Sequence, residues 1–291
     1  MITAYVVDGT YELFRAFYGA PAATVDGREV GAARALLRGL AAWLRTGTVT
    51  HIGVAFDHVI ESFRNQLYPG YKTGDGLEPA LASQFGLAEE VAAALGCAVW
   101  PMVEFEADDA LATAAAALAA DPTVAQVVIA SPDKDLCQCV VDPRVVTWDR
   151  LRDRRFDEAG VRARLGVAPA SVPDLLALVG DDADGIPGLA RWGARSAAAV
   201  LARYPHLEDI PRDGRWDVAV RGAASLAATF DAGFADALLY RRLATLRTDA
   251  PIACAPDDLA WRGADPVRLP ALCAALAIPV PALPMASATA R

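Results

Sequence analysis

Short apolar runs alternate with longer segments of helical spacing along the first half of the chain. The apolar runs predict strands at 1–8, 51–57, 97–100, 126–130 and 145–148. Apolar residues three or four apart predict helices at 31–45, 79–95 and 107–120. Strands that alternate with helices are typical of βαβ units. We therefore expect an α/β fold with a central, mostly parallel sheet flanked by helices.

The pattern changes after about residue 156, where the strand-like runs stop. Residues 173–179 and 194–204 predict two helices joined by a turn rich in glycine and proline. Residues 58–78 have little periodicity and predict a loop, and the Ala/Pro-rich tail from Pro279 is expected to be poorly ordered. The sequence thus predicts an α/β core over 1–170 and a helical region over 171–291.

Composition restricts the class of protein without identifying it. No apolar run approaches the length of a membrane span, and the N-terminus has no basic segment of a signal peptide, so we expect a cytoplasmic protein. The five cysteines have no framework spacing and are interpreted as buried thiols. The formal net charge of −9 neither favours nor excludes a nucleic-acid partner, because many of the acids can belong to a metal site.

Acidic residues stand at the ends of predicted strands and at the ends of predicted helices. They are Asp8, Asp57, Glu106, Asp108, Asp109, Asp133, Asp135, Asp181 and Asp184. Singly, each has a simple alternative role as a turn or helix cap. The carboxyl ends of parallel strands meet at one edge of a sheet, however, and clustered carboxylates need cations to stay ionised. Oxygen-only ligands suit Mg²⁺ or Mn²⁺, so the pattern favours two-metal phosphodiester hydrolysis.

Five segments carry a resemblance to a known family. They are VVDGTYELFRAFYG (6–19), VAFDHVIESFRNQLYPGYK (54–72), EFEADD (104–109), ASPDKDL (130–136) and LVGDDADGIPG (178–188). In order and spacing they resemble the 5′→3′ exonuclease/flap endonuclease family, of the bacterial type found fused to DNA polymerase I or standing alone. The resemblance covers roughly residues 1–205. No polymerase segment follows, so a stand-alone nuclease is expected.

The resemblance implies a role for each acidic position. One metal would be held by Asp8, Asp57, Glu106 and Asp108. The second would be held by Asp133, Asp135 and Asp181, with Asp108 shared. Asp109 and Asp184 match positions that are more often outer-sphere or accessory.

The resemblance also assigns catalytic side chains and an arch. Arg64 and Lys72 match basic residues that grip the scissile phosphate at the base of a helical arch, here expected over 64–95. Lys134 is expected to balance the charge of its acidic neighbours. The stretch 73–78 departs from the family because it is acidic and flexible, which predicts altered threading of a 5′ strand.

A further set of positions is implied to contact DNA. They are Arg15, Phe17, Tyr18, Gly188, Arg191, Gly193 and Arg195. The last four lie in a region, 172–204, that resembles the family's helix–three-turn–helix element, which often holds a K⁺ ion. Arg191 and Trp192 replace the first two residues of the usual Gly-Ile-Gly turn, which puts the K⁺ site in question and offers Arg191 as a direct phosphate contact.

The expected function is that of a structure-specific 5′ nuclease, with flap endonuclease and 5′→3′ exonuclease activity in DNA replication or repair. Its expected partners are DNA with a 5′ flap, nick or free 5′ end, and RNA primer ends; it is expected to be a monomer with no membrane partner. Two alternatives stay open: a catalytically weak relative that binds branched DNA, and a PIN-type ribonuclease. A Rossmann nucleotide-binding enzyme is disfavoured because no Gly-rich phosphate loop follows the first strand.

Overall fold

The computed structural model describes residues 1–287 and divides into two compact units. The first unit contains residues 1–60, 74–131 and the chain from 248 onward; the second contains 61–73 and 132–247. The predicted boundary at residue 170 thus falls inside the second unit. The expected arch segment, 64–95, is divided between the two units at residues 73 and 74.

Strands and helices alternate as the periodicity predicts. The strands are β1 (Ile2–Asp8), β2 (Thr24–Val25), β3 (Arg28–Glu29), β4 (His51–Asp57), β5 (Ala98–Met102), β6 (Val124–Ala130), β7 (Val145–Asp149) and β8 (Arg154–Phe156). The helices are α1 (Gly9–Gly19), α2 (Gly31–Leu44), α3 (Phe63–Leu67), α4 (Pro79–Ala82), α5 (Phe85–Ala94), α6 (Ala107–Ala120), α7 (Glu158–Leu165), α8 (Val172–Val179), α9 (Ala194–Arg203), α10 (Ala223–Ala232), α11 (Phe234–Ala244), α12 (Pro256–Leu259) and α13 (Arg268–Ala275).

The first unit is built on a parallel sheet in the order β5-β4-β1-β6. Five of the seven residues in each of β1 and β4 are buried, and α6 packs against β1, β4, β5 and β6. Such strands read as continuous apolar runs, because helices cover both faces of a parallel sheet. The carboxyl ends of β1 and β4 lie side by side, with Asp8 opposite Ala55.

Two local features of the first unit differ from the sequence prediction. Helix α1 was not predicted; it starts directly after β1, and the Oδ1 of Asp8 accepts a hydrogen bond from the Tyr11 amide at 2.8 Å. The helix predicted over 79–95 is two helices, because the fully buried Gln84 lies between them and accepts a hydrogen bond from the Ala33 amide at 3.0 Å.

The second unit is mainly helical. Strands β7 and β8 form an antiparallel hairpin, and α8 packs against both α9 and α11. Its core contains Val172, Leu176, Trp192, Phe230 and further apolar residues of this unit.

The tail from Pro279, expected to be poorly ordered, is tied to the first unit as far as it is described. The Ala264 amide donates to the Pro284 carbonyl and the Ala286 amide donates to the Ala264 carbonyl, both at 2.8 Å. Residues 288–291 of this tail lie outside the described residues. No helix within residues 1–287 is long and apolar enough to cross a membrane.

Candidate metal centres

Asp8 ends β1 and is 7% exposed. Its Oδ1 caps α1, and its Oδ2 accepts a hydrogen bond from the Ser131 hydroxyl at 2.9 Å. Ser131 follows directly after β6, the neighbour of β1 in the sheet. Two parallel strands thus hold the Asp8 carboxylate at the edge predicted from the sequence.

Asp57 ends β4 and connects this strand to two helices. Its backbone amide donates to the Thr10 hydroxyl in α1, and its Oδ1 accepts from the Ala107 amide at the start of α6, both at 2.8 Å. An amide at a helix N-terminus favours a carboxylate because of the helix dipole. Asp57 is therefore held beside the acidic start of α6.

The three acids at the start of α6 have different surroundings. Glu106 is buried and Asp108 is half-buried, whereas Asp109 is fully buried. The Oδ2 of Asp109 accepts a hydrogen bond from the Glu106 amide at 3.0 Å. This contact makes Asp109 a helix-capping residue, which agrees better with the accessory role than with direct ligation.

In the second unit, a tight turn presents Asp181 and Asp184. The Asp181 and Ile186 backbones exchange two hydrogen bonds of 2.8 Å, and the Asp181 Oδ1 accepts from the Ala183 amide at 3.1 Å. One carboxylate oxygen from each of Asp135, Asp181 and Asp184 lies within 4.8 Å of the other two. The structure therefore brings together three of the four second-unit acids predicted as ligands. The fourth, Asp133, is exposed and its Oδ1 accepts from the Asp135 amide at 2.9 Å.

The electrostatics of this cluster fit a bound divalent cation. Within residues 1–287, the buried Oδ1 of Asp135 has no hydrogen-bond partner. Burial, followed by the charge of Asp133, raises the pKa of Asp135 well above its usual range. Burial alone would lower the pKa of Lys134, but the charges of Asp135 and Asp181 raise it. A hard cation on these oxygens would supply the missing partner for Asp135.

Lys134 and Lys72 place ammonium groups against different carboxylates of the same cluster. The Lys134 Nζ lies 2.5 Å from the Asp181 Oδ2 and 3.6 Å from the Asp135 Oδ1. The Lys72 Nζ lies 2.9 Å from the Asp184 Oδ1. The two lysines of the chain thus both contact the cluster, and Lys134 stands where charge balance is expected of it.

Arg64 is buried against the end of a helix. It is 1% exposed, and its guanidinium lies over the Phe63 ring. Its Nε donates to the Leu243 carbonyl at 2.8 Å and its Nη2 to the Thr245 carbonyl at 3.2 Å. These are carbonyls at the C-terminal end of α11, which the helix itself leaves without partners. In the structure, Arg64 therefore stabilises a helix end, and its assignment to the scissile phosphate stays a prediction.

The predicted DNA-contact residues of the first unit lie on α1. Arg15 forms an ion pair with Glu12, a residue that is only 2% exposed. Phe17 packs edge-on against Tyr18 with ring centroids 5.2 Å apart. Tyr18 is 67% exposed, so its ring is open to stacking, whereas Phe17 is half-buried.

The predicted DNA-contact residues of the second unit surround the turn before α9. Arg191 and Arg195 are exposed, and Gly193 is the residue that precedes the first turn of α9. Trp192 is buried, donates to the Leu226 carbonyl at 3.3 Å and packs against Phe230. The bulky turn is thus accommodated, because the indole is part of the helical core.

Gly188 has a steric role in the structure. Its φ is +67°, and a Cβ there would lie 2.4 Å from the Gly180 amide nitrogen. Only glycine permits this close approach of the turn to the end of α8. Gly188 shapes the turn and its assignment as a DNA contact stays a prediction.

Two family models match consecutive parts of the chain. Residues 3–166 match the 5′-3′ exonuclease N-terminal resolvase-like domain, and residues 167–267 match the 5′-3′ exonuclease C-terminal SAM fold. The chain belongs to the 5′-3′ exonuclease family. This confirms the resemblance and the fold class predicted from the sequence motifs.

Individual members of the 5′-3′ exonuclease family and one solved structure give the degree of similarity. A 5′-3′ exonuclease of Aquifex aeolicus is 30% identical over 261 residues, which cover 89% of this chain and 86% of that protein. A DNA polymerase I of Rhizobium leguminosarum is 35% identical over 265 residues, 88% of this chain but only 25% of that protein. The flap endonuclease of bacteriophage T5, solved with DNA and metal ions, is 20% identical, with a TM-score of 0.64 over 83% of this chain and 88% of that one.

Several residues that support the 5′-3′ exonuclease site were missed by the sequence reasoning. Thr10 and Ser131 hold Asp57 and Asp8, and Asn65 contacts the backbone of Lys72. Each lies inside a motif that carries the resemblance, Thr10 shortly after Asp8, Ser131 shortly before Asp133, and Asn65 in the segment that ends at Lys72. Their positions were visible in the sequence, but their hydrogen-bond partners were not.

Proposed function

We propose that this chain is a structure-specific 5′ nuclease that hydrolyses DNA at 5′ flaps and 5′ ends with two or more divalent cations. The observation that carries the proposal is the cluster of Asp135, Asp181 and Asp184, in which a buried oxygen of Asp135 has no hydrogen-bond partner among the described residues. Membership of the 5′-3′ exonuclease family supports the reaction class.

The ligands are proposed as two sets, one from each unit. Asp8, Asp57, Glu106 and Asp108 form the first set, and Asp133, Asp135 and Asp181 form the second, with Asp108 shared. All are oxygen donors, which favours Mg²⁺ or Mn²⁺. When bound, such ions lower the pKa of an attacking water and stabilise the leaving oxygen.

The chain's own residues have separate tasks in this proposal. The Lys72 ammonium, at the edge of the cluster, is assigned to the scissile phosphate, where its positive charge stabilises the transition state. Lys134 offsets the charge of Asp181 and Asp135. Asp109 and Asp184 hold their neighbours in place, the first through the Glu106 amide and the second through Lys72.

Duplex DNA is proposed to bind at the turn before α9. Helix N-termini present backbone amides to phosphates, and the exposed Arg191 and Arg195 add charge at the same end of α9. We also propose that this turn binds a K⁺ ion that supports duplex binding. The affinity for duplex DNA should then fall when K⁺ is replaced by an equal concentration of a bulky organic cation.

The decisive experiment compares 5′-flap, nicked, blunt and single-stranded DNA, labelled and digested side by side with Mg²⁺ or Mn²⁺, with Asp181→Asn as control. We expect cleavage at the flap junction and from 5′ ends, lost in chelator and in the control. Tight flap binding without cleavage would indicate a catalytically weak DNA-binding relative instead. Faster cleavage of RNA than of DNA would indicate a ribonuclease, and a 5′-RNA primer end tests the predicted tolerance of RNA.

We also propose that the protein is a monomer and acts in the cytoplasm. Light scattering during size-exclusion chromatography, with and without flap DNA, tests the first point, and cell fractionation tests the second. A dimer that binds one flap would contradict a monomeric nuclease.

A further inference from the structure

Asn65 uses both ends of its amide within the second unit. Its Oδ1 accepts a hydrogen bond from the Ser62 amide at 2.8 Å, which caps α3. Its Nδ2 donates to the Lys72 carbonyl at 2.9 Å and reaches the Tyr71 carbonyl at 3.5 Å. A side chain with one acceptor and one donor end is required to join these groups.

Three groups of Lys72 are held in place, one by Asn65 and two by Asp184. Its carbonyl accepts from Asn65, its amide donates to the Asp184 carbonyl at 3.0 Å, and its ammonium lies 2.9 Å from the Asp184 carboxylate. The segment before Lys72 also lies directly on the acidic turn, because a Cβ on Gly185 would be 2.2 Å from the Gly70 carbonyl oxygen. The direction of the lysine side chain therefore depends on how this short backbone segment is held.

Helix α3 provides a fixed base for the amide. It has only five residues, too few for stability of its own. The buried guanidinium of Arg64 attaches it to the end of α11 through the Leu243 and Thr245 carbonyls. Asn65, the next residue, is thus anchored on one side and reaches Lys72 on the other.

We propose that Asn65 is a positioning residue that fixes the backbone of Lys72 and so directs its ammonium to the carboxylate cluster. The inference rests on the proposed function for its catalytic consequence, but the placement of the lysine can be measured without DNA. Asn65→Asp is the sharpest change. It keeps the acceptor that caps α3 and replaces the donor to Lys72 and Tyr71 by an oxygen that repels their carbonyls.

The kinetic test compares Asn65→Asp with Ser62→Ala, which removes the other half of the α3 cap and leaves the contact with Lys72. We expect Asn65→Asp to lower the single-turnover rate at saturating 5′-flap DNA about tenfold, with flap affinity within about twofold of wild type, because misplacement of a catalytic group mainly affects the rate. Ser62→Ala should lower the Tm and keep the rate. Equal rate losses in both variants would overturn the proposal.

A double-mutant comparison tests whether Asn65 acts through Lys72. In a Lys72→Ala background, Asn65→Asp should have no further effect on the saturated rate, because the group it positions is absent. A further tenfold loss in that background would overturn the positioning role. A Lys72→Ala variant with full activity would instead contradict the catalytic assignment of Lys72 in the proposed function.

The chain contains only two lysines, which allows a test independent of catalysis. Reductive ¹³C-methylation keeps the positive charge and labels Lys72, Lys134 and the N-terminal amine for NMR. We expect Asn65→Asp and the uncharged Asn65→Ala to shift and broaden the Lys72 signal and to leave the Lys134 signal in place, whereas Ser62→Ala should leave both. An unchanged Lys72 signal in both Asn65 variants would overturn the inference, whatever their activity.

Discussion

Asp135→Asn removes one charge from the cluster and keeps the shape of the side chain. Oxygens of Asp135, Asp181 and Asp184 lie within 4.8 Å of one another. At an effective dielectric constant of about 20, two unit charges at this distance repel by about 3.5 kcal/mol. The Lys134 ammonium, 3.6 Å away, attracts Asp135 by about 4.6 kcal/mol on the same scale. Two repulsions against this attraction leave ionised Asp135 unfavourable by roughly 2 kcal/mol, and burial and the charge of Asp133 add to this penalty.

The pH dependence follows from the direction of the pKa shift. Burial and the charge of Asp133 raise the pKa of Asp135 in the folded chain above that in the unfolded chain. The penalty is therefore complete above the folded-state pKa and disappears as the pH falls to the unfolded value of about 3.9. In chelator at pH 8, we expect Asp135→Asn to raise the Tm by about 3 °C. The gain should shrink to nothing as the solution is acidified toward pH 4.

Metal should reverse this order of stability. Mg²⁺ at about 100 times its Kd stabilises a folded protein by about 2.7 kcal/mol, and Asp135→Asn should lose most of that gain. Asp149→Asn is the matched control, because Asp149 is equally buried but accepts hydrogen bonds from Leu151 and Arg152. It should lower the Tm in both buffers and keep the Mg²⁺ response. An Asp135→Asn variant that is less stable than wild type in chelator at pH 8 would refute the charge repulsion at Asp135. An undiminished response of its stability to Mg²⁺ would refute the role of Asp135 in binding the cation.

Three further changes separate the roles of other residues. Asp181→Asn should remove most turnover in Mg²⁺ and leave the circular dichroism spectrum unchanged; near-wild-type cleavage at low metal concentration would refute its assignment as a ligand. Arg64→Gln should lower the free energy of unfolding by about 1–3 kcal/mol, because the Leu243 and Thr245 carbonyls lose their donors. Urea denaturation measures it, and a stable variant with weakened DNA binding would support Arg64 as a phosphate contact. Asp75→Arg, in the acidic stretch 73–78, should tighten flap binding several-fold at low salt without changing the saturated single-turnover rate. A change in that rate would mean that this stretch acts on the chemical step.

The sheet and most of the carboxylates could be predicted because their signals are local. A buried strand is a continuous apolar run, and its terminal aspartate is placed by the sheet itself, as Asp8 and Asp57 illustrate. Helix α1 was missed because Asp8-Gly9 has the sequence of a turn. The structure needs Gly9 for a different reason: a Cβ there would lie 2.4 Å from the Phe56 ring, so glycine permits α1 to start against β4.

The helix-end contacts of Arg64 could not be predicted, because its partners are remote in sequence and belong to the backbone. The Leu243 carbonyl is 179 residues away, and a carbonyl leaves no side-chain signature. Arginine in an acidic chain is therefore ambiguous: it can contact a phosphate or complete a helix end. Lys72 was assigned from the family resemblance, and its ion pair with the remote Asp184 is seen only in the structure.

In the turn before α9, Arg191 has a strained backbone conformation and is also a proposed DNA contact. Arg191 has a φ of +74°, in the left-handed region, and it occupies the first position of the turn for which the family resemblance implies glycine. For a residue with a Cβ this conformation costs about 1 kcal/mol or more, and glycine would avoid the cost. Nothing in the apolar packing requires an arginine there, because Trp192 fills the core and Arg191 is exposed. The strained backbone of Arg191 is therefore best explained by the place of this residue, beside the N-terminus of α9. Arg191→Gly should then raise the Tm while reducing the salt dependence of duplex binding by about one unit, and a variant that lost stability would break this connection.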